Sequence, residues 1–162
     1  MTRSHSVIDS PIGPLTVVVD DGAVTGIYMA EHRHAPGETA YGDRVGDAHP
    51  ALREQLAAYF AGDLTEFDVP TSAPGTPFQQ QVWAALRHIP YGETWSYARL
   101  ATEIGNPAAV RAVGLANGRN PISIVVPCHR VVGANGSLTG YGGGIERKRF
   151  LLDLEARQST LA

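Results

Sequence analysis

One cysteine, one lysine and no apolar run of membrane length set the first limits on this 162-residue chain. A lone Cys cannot supply both halves of an internal disulfide, and a single thiol fits a reducing compartment. No stretch approaches the roughly 18 consecutive apolar residues that a membrane span needs. Met1-Thr2-Arg3-Ser4-His5 runs straight into strand-like sequence, so the expectation is a cytoplasmic protein with no signal peptide and no membrane contact. There is no internal repeat and no low-complexity block. Residues 133–144 hold six glycines but lack the Gly-Lys-Ser/Thr ending of a P-loop, which leaves a flexible connector or a lid. With 43% hydrophobic and 18% charged residues, the composition is that of a globular chain long enough to bury a core.

Charge is unevenly placed. Residues 1–70 carry four arginines (Arg3, Arg33, Arg44, Arg53) against eleven acids, whereas residues 71–162 carry nine cations, eight of them Arg, against five acids. A basic half joined to an acidic one points to a polyanion partner for the second half alone. Arg is also the cation suited to phosphate forks and stacking. An ordinary fluctuation of charge is the competing reading.

The first half reads as β-rich. Ser6-Val7-Ile8-Asp9 and Leu15-Thr16-Val17-Val18-Val19 flank the turn Ser10-Pro11-Ile12-Gly13-Pro14, and Asp20-Asp21-Gly22 turns the chain into Val24-Thr25-Gly26-Ile27-Tyr28. Residues 31–49 read as a polar loop. Leu52, Leu56, Tyr59 and Phe60 fall at helical spacing before Gly62. The turn-rich stretch 65–75 follows, where the charge changes sign, and predicts a boundary between domains 1–72 and 73–162.

The second half reads as helical. Phe78, Val82, Leu86 and Ile89 share one face of a helix ended by Pro90-Tyr91-Gly92. Ser96 can cap a short helix through Tyr97, Leu100, Ala101 and Ile104, and Asn106-Pro107 then look like the cap and first residue of the next. Two helices joined by a Gly-containing turn make a helix-turn-helix candidate. The second is unusually bare: Ala108, Ala109, Ala112, Gly114 and Ala116 surround one long group, Arg111. Tight packing on another helix would explain the small residues. A helix pressed into a nucleic-acid groove, with one side chain inserted between bases, explains the arginine as well. The apolar run 122–126 predicts a strand that delivers the cysteine, and a last helix begins near Ile145 and carries Phe150, Leu151, Leu154 and Glu155.

The cysteine lies in Pro127-Cys128-His129-Arg130-Val131-Val132. Free Cys is often inert core, but a His and an Arg directly after it can lower a thiol's pKa and activate it. On an extended chain, adjacent side chains point to opposite faces. A water bridge from Cys128 to His129 is therefore expected rather than direct contact. Glu155, on an otherwise apolar helix face, is the candidate to orient that base; a solvated carboxylate is the alternative.

Pro127-Cys128-His129-Arg130-Val131 resembles the active-site signature of the O6-alkylguanine-DNA alkyltransferases. Arg111-Ala112-Val113-Gly114, Ala116-Asn117 and Asn120-Pro121 resemble that family's recognition helix and asparagine hinge. Pro90-Tyr91-Gly92-Glu93-Thr94 through Ser96-Tyr97 resembles the preceding segment, Tyr141-Gly142-Gly143-Gly144 its active-site loop, and Ser10-Pro11-Ile12-Gly13-Pro14-Leu15 the opening hairpin of bacterial members. The likeness runs in unbroken order from about Phe78 to Glu155.

The resemblance implies an α/β (α+β) fold: a small RNase H-like N-terminal domain, then a helical, winged helix-turn-helix-like domain carrying the DNA-binding and active-site residues. It implies direct-reversal repair. Cys128 takes the alkyl group from O6-alkylguanine, and from O4-alkylthymine, in duplex DNA, once per molecule, because a thioether has no easy hydrolytic exit. It assigns His129 and Glu155 to proton removal, Tyr97 to a hydrogen bond on the leaving guanine, and Asn120 to bracing the active-site turn. Arg111 fills the place of a flipped nucleotide, with Ala109, Ala112, Gly114, Ser96 and Arg119 along the DNA surface and Val131, Ser137, Tyr141 and Gly142 around the base. At Gly142 some relatives carry a hydroxyl. No cofactor is implied, and the chain is expected to be monomeric without DNA. Some members hold a structural metal in the first domain; here that domain has no Cys, and His32 and His34 are read as solvated, so no metal is expected. The alternatives are a non-enzymatic, damage-sensing DNA binder, which would not need the thiol, and a cysteine hydrolase, for which the Arg111 helix gives no support.

Overall fold

The computed structural model describes residues 3–161. Strands β1 (Arg3–Ile8), β2 (Leu15–Asp20) and β3 (Ala23–Met29) form an antiparallel meander with Ile8 opposite Leu15. Ser10 fixes the first turn: its hydroxyl accepts from the Ile12 N–H and donates to the Gly13 carbonyl, the local bonding that makes Ser a turn residue. Leu15, Val17, Val19, Val24, Ile27 and Met29 are buried on the core side.

Residues 31–49 are more ordered than a polar loop. A 3₁₀ turn, Glu38–Tyr41, leads to β4 (Asp43–Arg44), which pairs parallel with β1 and gives the order β3-β2-β1-β4. Polar composition hid this strand because it is short, exposed and at an edge. Helix α1 (Pro50–Phe60) follows, with the His49 ring accepting from the Leu52 N–H and Leu52, Leu56 and Tyr59 turned inward.

Helix α2 (Pro77–Leu86) opens the second half with a reciprocal cap between Thr76 and Gln79 and with proline at its first turn, three start signals in four residues. Strand β5 (Trp95–Ser96) leads into α3 (Tyr97–Glu103), whose cap is Ser96 accepting from the Arg99 N–H. Helix α4 (Val110–Gly118) packs on α2 and α3, and the Trp83 indole N–H donates to the Ala116 carbonyl at 2.9 Å. It begins three residues later than the sequence predicts: Asn106 caps a turn closed by the Ala109 N–H instead of the helix itself. A 3₁₀ turn at Cys128–Arg130, strand β6 (Val131–Val132) parallel to β5, and α5 (Ile145–Leu161) complete the chain.

The predicted strand at 122–126 does not form. Ile122 alone bridges to Ile27, and the rest folds into turns, with the Val126 N–H bonded to the Ile122 carbonyl and Ile124 at φ 74°. That conformation is unfavourable for a β-branched residue. It is held by burial of Ile122, Ile124, Val125 and Val126 and by Asn120, whose amide accepts from the Ile122 N–H and donates to the Val126 carbonyl. The apolar run reads as a strand because it is buried, not because it is extended.

One hydrophobic core spans both halves. Arg147 of α5 closes the seam: its guanidinium donates to the carbonyls of Ile12 (3.0 Å), Ala30 (2.7 Å) and Gly143 (3.1 Å). Among the described residues, no helix is long and apolar enough to cross a membrane. Replacing Arg147 with Met keeps the stem and removes these bonds. Arg147→Met is expected to lower stability by about 1–3 kcal/mol in denaturant unfolding, whereas Arg149→Met, at an exposed position, should change it by less than about 0.5 kcal/mol.

Candidate active site

Cys128 begins the 3₁₀ turn and is 5% exposed. Burial pushes its thiol pKa up, opposed by the Asn120 side chain and the charge of Lys148. This corrects the expectation that the following His and Arg lower it. Arg130 turns away and is consumed by Glu155, so the cation facing the thiol is Lys148. The resting side chain is therefore a thiol.

The residue that follows Cys128 lies in a buried polar knot. His129 is fully buried, and its Nε2 is 2.7 Å from Glu155 Oε2. Arg130 donates to the same carboxylate through Nε (2.8 Å to Oε1) and Nη2 (3.1 Å to Oε2), and through Nη1 to the Ile89 carbonyl (2.7 Å). Tyr59, from α1 in the first half, donates its hydroxyl to Glu155 Oε2 at 2.6 Å. Burial alone would raise the Glu155 pKa, but His129 and Arg130 together bring it down to about 2. An ionised Glu155 accepts from Nε2–H, which fixes the proton on Nε2 and leaves Nδ1 as a lone-pair acceptor. Nδ1 is buried and has no protein partner. Cys128 and His129 lie in a 3₁₀ turn, not on the extended chain that the sequence suggests.

The surrounding residues form two walls. Asn117 donates to the Cys128 carbonyl at 3.4 Å, alongside the Asn120 bonds described above. On the other side, Tyr97 is half-buried, and its hydroxyl donates to the Thr139 carbonyl at 3.1 Å. Its ring lies against Gly114, where an added Cβ would be 3.6 Å away, and Gly140 stands at φ 67° beside its hydroxyl. Gly114 therefore makes room for Tyr97 and is half-buried, off the open face of α4. Ala109 is also half-buried, packed on the core at the start of the helix.

Val131, Tyr141 and Gly142 gather near the cysteine. Val131 is fully buried with its carbonyl accepting from Lys148 (2.6 Å), and the Gly142 carbonyl accepts from the Arg33 N–H (2.8 Å). The Tyr141 hydroxyl is buried without a partner. Ser137 lies apart, in an exposed turn closed by the bond from the Gly133 N–H to its own carbonyl. Arg111 and Ala112 are exposed on α4. Arg119 is exposed at its C-terminal end, lining a cavity of about 840 Å³ with Tyr28, Tyr41 and Trp83.

Sequence reasoning missed Tyr59 and Lys148. Tyr59 lies 96 residues from its partner and reads as an ordinary helix-face aromatic. Lys148 is fully buried, bridges the Val131 and Thr139 carbonyls, and is lowered to about 8 by burial. Being the only lysine of the chain was its one signal. His32 corrects another expectation. It is not solvated: its Nδ1 accepts from the Met29 N–H, its ring meets Tyr28 edge-on, and burial lowers its pKa to about 4. His34 is exposed.

Two family models match this chain: the ribonuclease-like domain of 6-O-methylguanine DNA methyltransferase over residues 4–73 and its DNA binding domain over residues 77–157. The methylated-DNA–protein-cysteine methyltransferase of Mycobacterium bovis is 58% identical over 151 residues, 93% of this chain and 91% of its own length. That of Methanosarcina acetivorans is 49% identical over 154 residues, 93% and 97% of the two chains. The crystal structure of Mycobacterium tuberculosis OGT in complex with DNA superposes with a TM-score of 0.90 at 55% identity, covering 96% of this chain and 94% of that one.

The Glu155 knot predicts an acid response. The carboxyl's pKa is lower folded than unfolded, so folding favours the ionised form. That stabilisation is complete above the ordinary carboxylate range and is lost as pH falls through about 2. Between about pH 4.5 and pH 2 it amounts to about 3 kcal/mol. Denaturant unfolding across this range should show the loss in the wild type and a flatter profile in Glu155→Gln. At neutral pH that variant should already be about 3–5 kcal/mol less stable, because Arg130 is left buried without its partner.

Proposed function

The chain belongs to the 6-O-methylguanine DNA methyltransferase family, and on that premise we propose that Cys128 repairs O6-alkylguanine in duplex DNA by taking the alkyl group onto its own sulfur. The observation that carries this reading is the buried His129–Glu155 pair directly after the buried Cys128 in the chain, with Nδ1 lacking a protein partner. His129 draws the thiol proton through a water. The thiolate attacks the alkyl carbon in line, the C–O bond breaks as the C–S bond forms, and guanine leaves with its charge met by the Tyr97 hydroxyl, which turns to it from the Thr139 carbonyl. Positioned donors of this kind contribute about 2–4 kcal/mol to the transition state. The thioether cannot be hydrolysed readily, so each molecule acts once. O4-alkylthymine presents the same leaving geometry and belongs to the same substrate class.

A buried thiol cannot reach O6 of a stacked guanine, so the nucleotide must leave the helix. Arg111, exposed on the bare face of α4, fills its place, with Ala112 allowing close approach and Ser96 and Arg119 on backbone contacts. Asn120 holds the turn that presents Cys128. Val131, Tyr141 and Gly142 enclose the base and Ser137 borders the loop; the Gly142 carbonyl is engaged by Arg33, which leaves its N–H for O6. In this reading residues 1–72 support and residues 73–162 act. The protein is a cytoplasmic monomer without DNA, where its thiol stays reduced, and needs no metal or other cofactor.

Intact mass before and after mixing with duplex DNA containing one O6-methylguanine should rise by one methylene per protein, saturate at one equivalent and map to Cys128. No shift despite tight binding would favour the damage-sensing binder. Cys128→Ala should abolish transfer while leaving DNA affinity within about threefold; loss of both would make the thiol structural. Arg111→Ala should slow repair of duplex DNA by about tenfold or more while sparing the free alkylated base, since only the duplex has a stack to fill. Equal losses on the two substrates would remove the finger role.

A further inference from the structure

Leu115 is 70% exposed, well beyond Val7, Val45, Val110 and Ile145, the other large hydrophobic residues exposed among those described. It lies in α4, one turn beyond Arg111. The inward face of that helix is taken by Val113, Ala116 and Asn117, and its outward face by Arg111, Ala112 and Leu115. At about 100° per residue, Leu115 sits between Arg111 and Arg119 on one stripe. No acidic residue occurs between Glu103 and Glu146, so the stripe is an apolar side chain flanked by two cations. Its complement is an anionic surface with an apolar floor.

We infer that Leu115 is a second insertion element, an apolar wedge that enters the minor groove beside Arg111 and holds it open around the flipped nucleotide. The inference rests on the DNA-repair reading above. An α-helix with side chains is about 10–12 Å across and the minor groove about 6 Å wide, so the groove must widen to admit even a bare helix. Proteins that widen it insert apolar wedges and unstack a base step. Arg111 and Leu115 are separated by about 6 Å along the helix, close to two base-pair steps of about 3.4 Å. With Arg111 in the vacated stack, Leu115 meets sugar edges and the base step roughly two pairs away. Both its faces can be buried there, and no base-specific bond is made, as lesion repair in any sequence requires. Arg119, a further turn along, reaches the phosphates.

The test uses a duplex with one O6-methylguanine and a 2-aminopurine about two steps away, whose fluorescence rises when it unstacks. Binding is measured in a Cys128→Ala background so that the complex does not react. Leu115→Ala should weaken duplex binding about tenfold and suppress the fluorescence rise, and Leu115→Met should retain both. With Cys128 present, alkyl transfer from free O6-benzylguanine should differ from the parent by less than about twofold. Unchanged duplex affinity in Leu115→Ala would overturn the wedge, as would equal losses on duplex and free base. A defect that vanishes on a duplex too short for two proteins would assign Leu115 to contact between copies of this chain and also overturn it. The mass shift of the parent protein reports alkyl transfer separately, so failure of the wedge and failure of the repair reading are distinguishable.

Discussion

The Glu155 carboxylate accepts from His129, Arg130 and Tyr59, side chains supplied by the cysteine turn and by a helix of the other half of the molecule. None of these groups is comfortable in the core alone. A guanidinium buried without an anion costs several kcal/mol, and an ionised carboxylate would take up a proton. Together they satisfy both carboxylate oxygens. The reading of the site depends on this arrangement: the ionised Glu155 sets the His129 tautomer, which turns Nδ1 into the acceptor. Tyr59 makes the first half part of the machinery without touching the reacting atoms.

A buried thiol meets opposing demands. Burial raises its pKa, which keeps it protonated and unreactive toward adventitious electrophiles. The same burial would stall the reaction if nothing removed the proton. In the proposed mechanism the Glu155–His129 pair meets the second demand. Lys148, whose own pKa burial lowers to about 8, adds a nearby cation that favours the thiolate once it forms. The alkyl group stays on the sulfur, so the site need not be cleared of it for a second round, as turnover would require.

Much of this was legible in the sequence. The meander followed from alternation and turn residues, the first two helices from apolar spacing, the third from its Ser96 cap, and the Cys-His-Arg run and Glu155 from residue type and position. What escaped shares one physical cause, that distant partners override local signals. Isoleucine and valine at 122–126 favour a strand, yet Asn120 takes the backbone groups that a strand would offer a neighbour. The run Cys128-His129-Arg130 reads as a self-activating thiol, yet Arg130 is spent on Glu155. Tyr59 and Lys148 act through residues 96 and 9–17 positions away, and no periodicity encodes such pairs. His32 stands in a polar run, and the groups that bury it, the Met29 N–H and the Tyr28 ring, belong to the strand before it.

The first half, which carries no reacting group, also holds the glycine-rich loop. The Arg33 N–H holds the Gly142 carbonyl, and Arg147 ties Gly143 to Ile12 and Ala30. The glycine-rich loop beside Cys128 is thus anchored at its end to the sheet, while its exposed turn at 133–137 closes on itself. Glycines at 142 and 143 leave space that His32 and the Met29 sulfur come close enough to fill, so a side chain added there would displace the first half rather than the substrate. The small residues of the loop are therefore explained by the protein's own packing. A shape tolerant of different alkyl groups need not be invoked for them, and the segment before them is held as well, its Thr139 carbonyl accepting from both Tyr97 and Lys148.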